Sequence, residues 1–307
     1  VSGFQPMLAS PGQPEQIAAF QASGQWLWDT KWDGVRAIVV AEGGHVRLRN
    51  RRGADISARY PDLTSALAAL LTDVVVDGEL VVLRGGRPDF AAIHRRDAQQ
   101  GDFSIRLAAR QFPATLIAFD LLAEGGRDLR GQPLEVRLGR LDELAAAWPA
   151  DGPVRRSVVC EDGVALWAQV RALGLEGVVA KRRGSRYVGR RSPAWCKFKT
   201  TSRLTAIAIG YEPGQGARAG KVGALKLVLV APDASLLLVG KVGSGLTEAD
   251  LAVCKQTLDA GVPLVVEVEA LSVSRDGKLR NPAFKGVRSD VEPAACVSSQ
   301  LDELPVT

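Results

Sequence analysis

Lys31 stands between an apolar stretch, Trp26-Leu27-Trp28, and Asp33-Gly34, at the mouth of a predicted hairpin. A lysine in that setting can serve as a nucleophile. To attack phosphorus it must be an amine at neutral pH, so its pKa has to fall from about 10.4 through desolvation or neighbouring cations. Arg36, Lys197 and Lys199 are the cations available. The competing reading is a surface lysine whose stem covers apolar residues, and an isolated Lys-x-Asp-Gly string favours it. Lys197 and Lys199 alternate with Cys196 and Phe198, which puts both ammonium groups on one strand face, suited to a phosphate or to guarding an edge strand. Glu79 and Glu176 lie in separate predicted strands and offer hard oxygen ligands for a hard cation or a hydroxyl; solvent-facing strand glutamates are the plainer alternative. Phe119 follows Leu116-Ile117-Ala118, the ordinary setting of a core ring.

These side chains need strands to hold them. Val35 to Val40, a Glu42-Gly43-Gly44 turn and Val46 to Arg49 predict the hairpin behind Lys31. Leu63, Leu67, Leu70 and Leu71 fall on one helical face, with Pro61 or Asp62 at its start. Further strands are expected at Val74 to Leu83, Ala114 to Leu121, Gly177 to Lys181 and Ala194 to Lys199. Helices are expected near Glu135 to Ala147 and Gly163 to Leu173. The mixture of hairpins and helices predicts an α+β domain rather than a regular parallel sheet. After Thr200-Thr201-Ser202 the helical periodicity fades. Short β-branched runs follow at Leu204 to Ile209, Lys221 to Val230, Leu236 to Val242 and Pro263 to Leu271, with one helical stretch, Thr247 to Leu258, between the third and fourth. That placement suits a small OB barrel.

The 307 residues suffice for two cores. No apolar run approaches the roughly 20 residues of a membrane span, and Val1 to Ser10 has no secretory pattern, so the expectation is a soluble cytoplasmic protein without membrane contact. Cys160, Cys196, Cys254 and Cys296 form no Cys-x-x-Cys pair and have only His45 and His94 to help them, which argues against structural zinc. Lys and Arg number 39 against 34 Asp and Glu, a net charge of +5, clustered at Arg47 to Arg52, Lys181 to Arg191 and Lys197 to Lys199. Such tracts suit a polyanionic ligand or a solvated basic face, and charge alone leaves both open.

The order of short strings behind Lys31 is more informative than any one of them. Arg51-Arg52-Gly53 is followed by Asp77-Gly78-Glu79, Phe119-Asp120, Glu176-Gly177-Val178-Val179-Ala180-Lys181 and Trp195-Cys196-Lys197-Phe198-Lys199. From Lys31 to its end the chain resembles the nucleotidyl transferase superfamily of ATP-dependent DNA ligases, RNA ligases and mRNA capping enzymes. Pro6-Met7-Leu8-Ala9 and the segment from Leu279 to Arg288 look like compact bacterial ligases related to the ligase domain of ligase D.

The resemblance implies an adenylation domain over residues 1–201 and an OB-fold domain over 202–307, with Thr200 to Arg203 as hinge. It makes Lys31 the acceptor of AMP from ATP, with Lys197 and Lys199 at the α-phosphate, where charge neutralisation matters most. Glu79 would read the ribose, and Glu176, with Glu79, would hold Mg²⁺ or Mn²⁺. Phe119 would stack on adenine and Arg36 would touch the AMP sugar. Arg51 would meet the 5′-phosphate of a nick, in preference to Arg52, which stands where the family often has a small or amide residue. Asp33 would serve the 3′-hydroxyl end or a metal. Arg280, Arg288 and Asp290 would close over the triphosphate; Val291 departs from the family's lysine, leaving Lys285 or Lys278 as substitutes. The expected substrate is nicked double-stranded DNA, acted on by a monomer in DNA repair, with a separate polymerase, primase or end-joining factor as partner. Rival readings are a GTP-dependent capping guanylyltransferase, an RNA ligase and a non-catalytic OB-type nucleic-acid binder.

Overall fold

The computed structural model describes residues 3–214, 219–304 and 306. The chain divides into two compact units, residues 1–170 with 175–199, and Arg171–Gly174 with residues 200–307, a division just before the expected boundary after Thr201.

The first unit runs β1 (Leu8–Pro11), α1 (Ile17–Ala22), β2 (Trp26–Thr30), β3 (Val35–Glu42), β4 (His45–Asn50), α2 (Pro61–Ala68), β5 (Val74–Arg84), β6 (Arg87–Pro88), α3 (Phe90–Asp97), α4 (Asp102–Gln111), β7 (Ala114–Glu124), β8 (Arg127–Asp128), α5 (Leu134–Ala145), β9 (Val154–Arg156), β10 (Val159–Cys160), α6 (Gly163–Ala172), β11 (Gly177–Arg182) and β12 (Arg191–Lys199). Two sheets result. One has the order β4-β3-β5-β7-β8, with β6 on β5 and β9 on β7; the other has the order β1-β12-β11-β2-β10.

Residue parity sorts these strands into layers, since neighbouring side chains on a strand point to opposite faces. Ala37, Val39, Val76, Leu80, Leu116 and Ala118 turn outward to pack with Leu63 and Leu67 of α2. Ile38, Val40, Val75 and Phe119 turn the other way and meet Met7, Tyr187 and Trp195 between the sheets. On the far side of the second sheet, Trp28, Val178, Ala180, Cys196 and Phe198 pack with Ile17 of α1 and Val170 of α6. At about 25 cal/mol per Å² of apolar surface removed from water, these layers supply the main stabilisation.

The helices predicted near Glu135 and Gly163 and the strand from Val74 form within a residue or two of their expected ends. Two short charged helices, α3 and α4, and the parallel strand β1 on β12 were not anticipated.

The second unit contains β13 (Ser202–Pro213), β14 (Val222–Val230), β15 (Leu236–Val242), α7 (Glu248–Asp259), β16 (Leu264–Ala270), β17 (Ser272–Val273), β18 (Leu279–Arg280) and β19 (Ala283–Val287). Five of its strands form a sheet of order β15-β14-β13-β16-β19, and β17 pairs with β18. The helix stands between the third and fourth strands and starts at a reciprocal Thr247/Asp250 capping box, worth about 1 kcal/mol. Ser202 and Arg203 pair with Ala270 and Glu269, so half of the segment expected to be a hinge is strand, and the linking residues are Thr200 and Thr201. Val291 packs against this unit's core, which accounts for an apolar residue there. Among the described residues no helix is long and apolar enough to cross a membrane.

Candidate active site

Lys31 lies just past the end of β2, where its N–H donates to the Gly177 carbonyl (2.9 Å) at the start of β11. This antiparallel edge sets Lys31 beside Glu176, although the two are far apart in sequence, and their side chains form an ion pair. The other Glu176 oxygen takes the Lys199 ammonium at 2.9 Å. Two glycines make the geometry possible. A Cβ on Gly34 would sit 2.1 Å from the Leu80 carbonyl oxygen, so only glycine lets the chain leave Lys31 and run along β5. Gly177 adopts φ +151°, with the Phe198 carbonyl 2.0 Å from where a Cβ would be.

Parity brings the remaining groups to one cleft of about 800 Å³, lined by Lys31, Asp33, Arg36, Arg51, Arg52, Glu79, Phe119, Glu176, Lys181, Trp195 and Lys197, among others. Arg36 and Glu79 are cross-strand partners on β3 and β5. Arg36 is a fixed element: Nε donates to Asp77 Oδ1 (2.6 Å) and Nη2 to Asp77 Oδ2 (2.7 Å) and the Met7 carbonyl (3.1 Å). Its guanidinium carbon also lies 4.6 Å from the Phe119 ring centre. Asp77 is fully buried and accepts a third bond, from the Tyr187 hydroxyl at 2.6 Å.

A second buried network supports the Lys31 segment. The Lys181 ammonium reaches Asp29 Oδ2 (2.7 Å) and the Phe119 carbonyl (3.2 Å), and lies 4.7 Å from the Phe119 ring centre and 4.8 Å from that of Trp195. Ser157 donates to the other Asp29 oxygen and accepts from Trp32 Nε1 at 2.8 Å. Asp29 and Lys181 are each 2% exposed, so removing either partner would leave the other as a buried polar group without its ion pair.

Electrostatics separates the two glutamates. Burial pushes the Glu79 carboxyl up to about 8, although Arg36 and Lys31 pull against it. Burial also raises Glu176, but Lys31 and Lys199 more than offset it and hold that carboxyl below its ordinary range. Lys197 is lowered by desolvation first, and then by the positive charges of Lys199, Lys31 and Arg191. The arrangement offers one lysine nucleophile, several cations for a polyphosphate and two carboxylates of opposite character.

Residues 6–199 match the model of the ATP-dependent DNA ligase domain. The chain belongs to that family. It is 36% identical to the multifunctional non-homologous end joining protein LigD of Mycobacterium bovis over 95% of this chain and 39% of that protein. The corresponding protein of Pseudomonas aeruginosa is 37% identical, over 94% of this chain and 37% of that protein. The chain therefore spans under half the length of these curated relatives. Among solved structures, mycobacterial DNA ligase D complexed with ATP and MES matches with a TM-score of 0.58 at 33% identity, covering 96% of this chain and 98% of that one.

Of the residues expected to form a ligase site, Lys31, Asp33, Arg36, Arg51, Glu79, Phe119, Glu176 and Lys197 line the cleft, and Lys199 joins them through Glu176. Arg280, Arg288 and Asp290 belong to the second unit. There Arg288 Nε and Nη2 grip Asp290 at 2.8 Å each, and Nη1 reaches Glu267 at 3.2 Å. Lys285, one substitute for a lysine at position 291, is paired with Glu269 at 3.0 Å, and the other, Lys278, donates to the Leu238 carbonyl. Sequence reasoning assigned no role to Asp29, Asp77, Lys181 or Trp195. Three of them stood inside the quoted strings, and their buried, charged or aromatic character was the available signal.

Proposed function

We propose that this chain is a nick-sealing ATP-dependent DNA ligase that carries AMP on Lys31. The observation that supports the reading best is the ion-paired Lys31–Glu176–Lys199 group in a cleft that also presents Lys181, Lys197 and Arg36. The Lys31 amine attacks the α-phosphorus of ATP, forming a P–N bond as the bond to the bridging oxygen breaks and pyrophosphate leaves. A 5′-phosphate oxygen at the nick then attacks the α-phosphorus and displaces the Lys31 amine, and the 3′-hydroxyl attacks the phosphorus of that 5′-phosphate to form the phosphodiester as AMP leaves. Lys197 and Lys199 neutralise the α-phosphate, Phe119 stacks on the adenine, and Arg36 and Glu79 address the ribose. Arg51 meets the 5′-phosphate and Asp33 the 3′-end.

Mg²⁺ fits this donor set in its usual manner, with one or two carboxylates plus substrate phosphates and water. Glu176, whose carboxyl is held below its ordinary range, would hold Mg²⁺ or Mn²⁺, joined by Glu79 once that carboxyl gives up its proton, and the bound metal would supply further charge neutralisation at the phosphates.

The second unit is read as an OB fold whose Arg280, Arg288 and Asp290 address the departing pyrophosphate. The names of the relatives point to end-joining repair; the reading places the chain in the cytoplasm, beside other repair proteins. The test is incubation with a divalent metal and α-labelled ATP or, separately, GTP, followed by a denaturing gel before and after adding nicked duplex. Label from ATP that is absent in Lys31→Ala and discharged as the nick closes is the expected result. Label from GTP alone, or label that never leaves for DNA, would overturn the reading.

A further inference from the structure

The helix pair α3–α4 displays a surface that the cleft chemistry does not use. On α4, Phe103, Arg106, Leu107 and Arg110 follow i, i+3, i+4, i+7 spacing and form one stripe, opposite the buried Ile105 and Ala108. Phe103 is 76% exposed and Leu107 46%, and both arginines face solvent. Arg95 on α3 is exposed as well. Among the described residues the guanidinium groups of Arg95, Arg106 and Arg110 form no ion pair or hydrogen bond, whereas Arg36, Arg96, Arg137 and Arg140 are all engaged by carboxylates.

The stripe is rigidly mounted. Arg96, fully buried, donates Nη1 to the Ile105 carbonyl (2.9 Å) and pairs with Asp62 on α2, so a single side chain ties α4 to both neighbouring helices. The surface is also joined to the cleft, because α3 contributes His94 and Asp97 to the cleft wall along with the exposed Arg51 and Arg52. Asp97 adds little free negative charge there, since Arg59 and Tyr60 bond to it.

We infer that this stripe, with Arg95, is a docking surface for the DNA duplex flanking the nick. Charge complementarity selects the partner: unpaired arginines one helical turn apart suit the phosphates of a strand, and the phenyl ring of Phe103, about one turn before Arg106 on the same stripe, packs on the sugars of the groove edge. The inference rests on the ligase reading and locates part of its DNA contact.

The experiment compares wild type, Arg106→Ala/Arg110→Ala and Phe103→Ala for binding of fluorescent nicked duplex by anisotropy from 50 to 200 mM salt. Transfer of label from ATP to protein is measured in parallel without DNA. Each phosphate contact contributes a slope of about 0.9 in log affinity against log salt, so the double arginine variant loses a slope of about 1.8 and roughly tenfold or more in affinity near 0.1 M salt. Phe103→Ala weakens binding severalfold with its slope unchanged, and both variants take label at the wild-type rate. Unchanged affinity and slope in labelled, folded variants would overturn the inference. A wild-type protein that takes no label from ATP fails the ligase reading itself, whatever the variants do.

Discussion

Replacing Glu79 by Gln isolates the electrostatic oddity of the cleft. The folded protein holds this carboxyl at about 8 against an ordinary 4.5, mainly through burial. Between those two values the folded chain keeps a proton that the unfolded chain has released, so stability falls as pH rises, by about 1.4 kcal/mol per pH unit. The shift sets a ceiling of about 5 kcal/mol above pH 8, and solvent access through the cleft reduces this to about 2–3 kcal/mol. Gln mimics the protonated acid without titrating. Glu79→Gln should therefore match wild type near pH 4.5 and exceed it by about 2–3 kcal/mol at pH 9. Urea unfolding followed by tryptophan fluorescence reads the right unit, because Trp26, Trp28, Trp32, Trp148, Trp167 and Trp195 all lie in the first one. A stability gap that is flat with pH, or a wild type more stable than the variant at pH 9, would refute the argument.

Three other outcomes follow from the same geometry. Asp77→Ala strands the half-buried Arg36 charge and should cost about 3–5 kcal/mol, a fall of roughly 6–20 °C in the first unit's melting temperature. The same change made on Arg36→Met should cost much less, and equal costs in both backgrounds would show that the pair is not the cause. Gly34→Ala forces a Cβ onto the Leu80 carbonyl, so it should cut AMP capture from ATP at least tenfold; wild-type rates of labelling would contradict the close approach. Chelating divalent metal should abolish label transfer to Lys31 and restore it on adding Mg²⁺, and transfer that persists in excess chelator would exclude the metal role of Glu176 and Glu79.

Much of the first unit could be read from sequence because parity does the sorting. Once β5, β7, β11 and β12 are recognised as strands, alternation alone assigns Glu79, Phe119, Lys181 and Lys197 to inner faces. Pairings across the chain could not be read. Asp29 with Lys181, Asp77 with Tyr187 and Asp120 with Arg137 join residues that only the folded sheets bring together. The α3–α4 pair escaped notice because its helices are short and charged, and their buried faces rest on few apolar residues, Ala92 and Ile93 on α3 and Ile105 and Ala108 on α4.

The cations of the first unit fall into two physical classes. Lys31 and Lys199 share Glu176, Arg36 has Asp77, Lys181 has Asp29 and Arg137 has Asp120. Burying a charge without a partner costs several kcal/mol, so the deepest of these pairs are conditions of folding as well as devices that orient the cleft. Lys197, Arg51 and Arg52 make no ion pair among the described residues, and Arg51 and Arg52 are exposed, as are Arg95, Arg106 and Arg110. Their charge is uncompensated within the fold and available to a polyanion, at little cost in stability when removed. Substitutions in the first class should lower the melting temperature together with activity. Those in the second should leave the fold intact and weaken nucleotide or DNA binding in proportion to salt, which separates structural cations from substrate-facing ones.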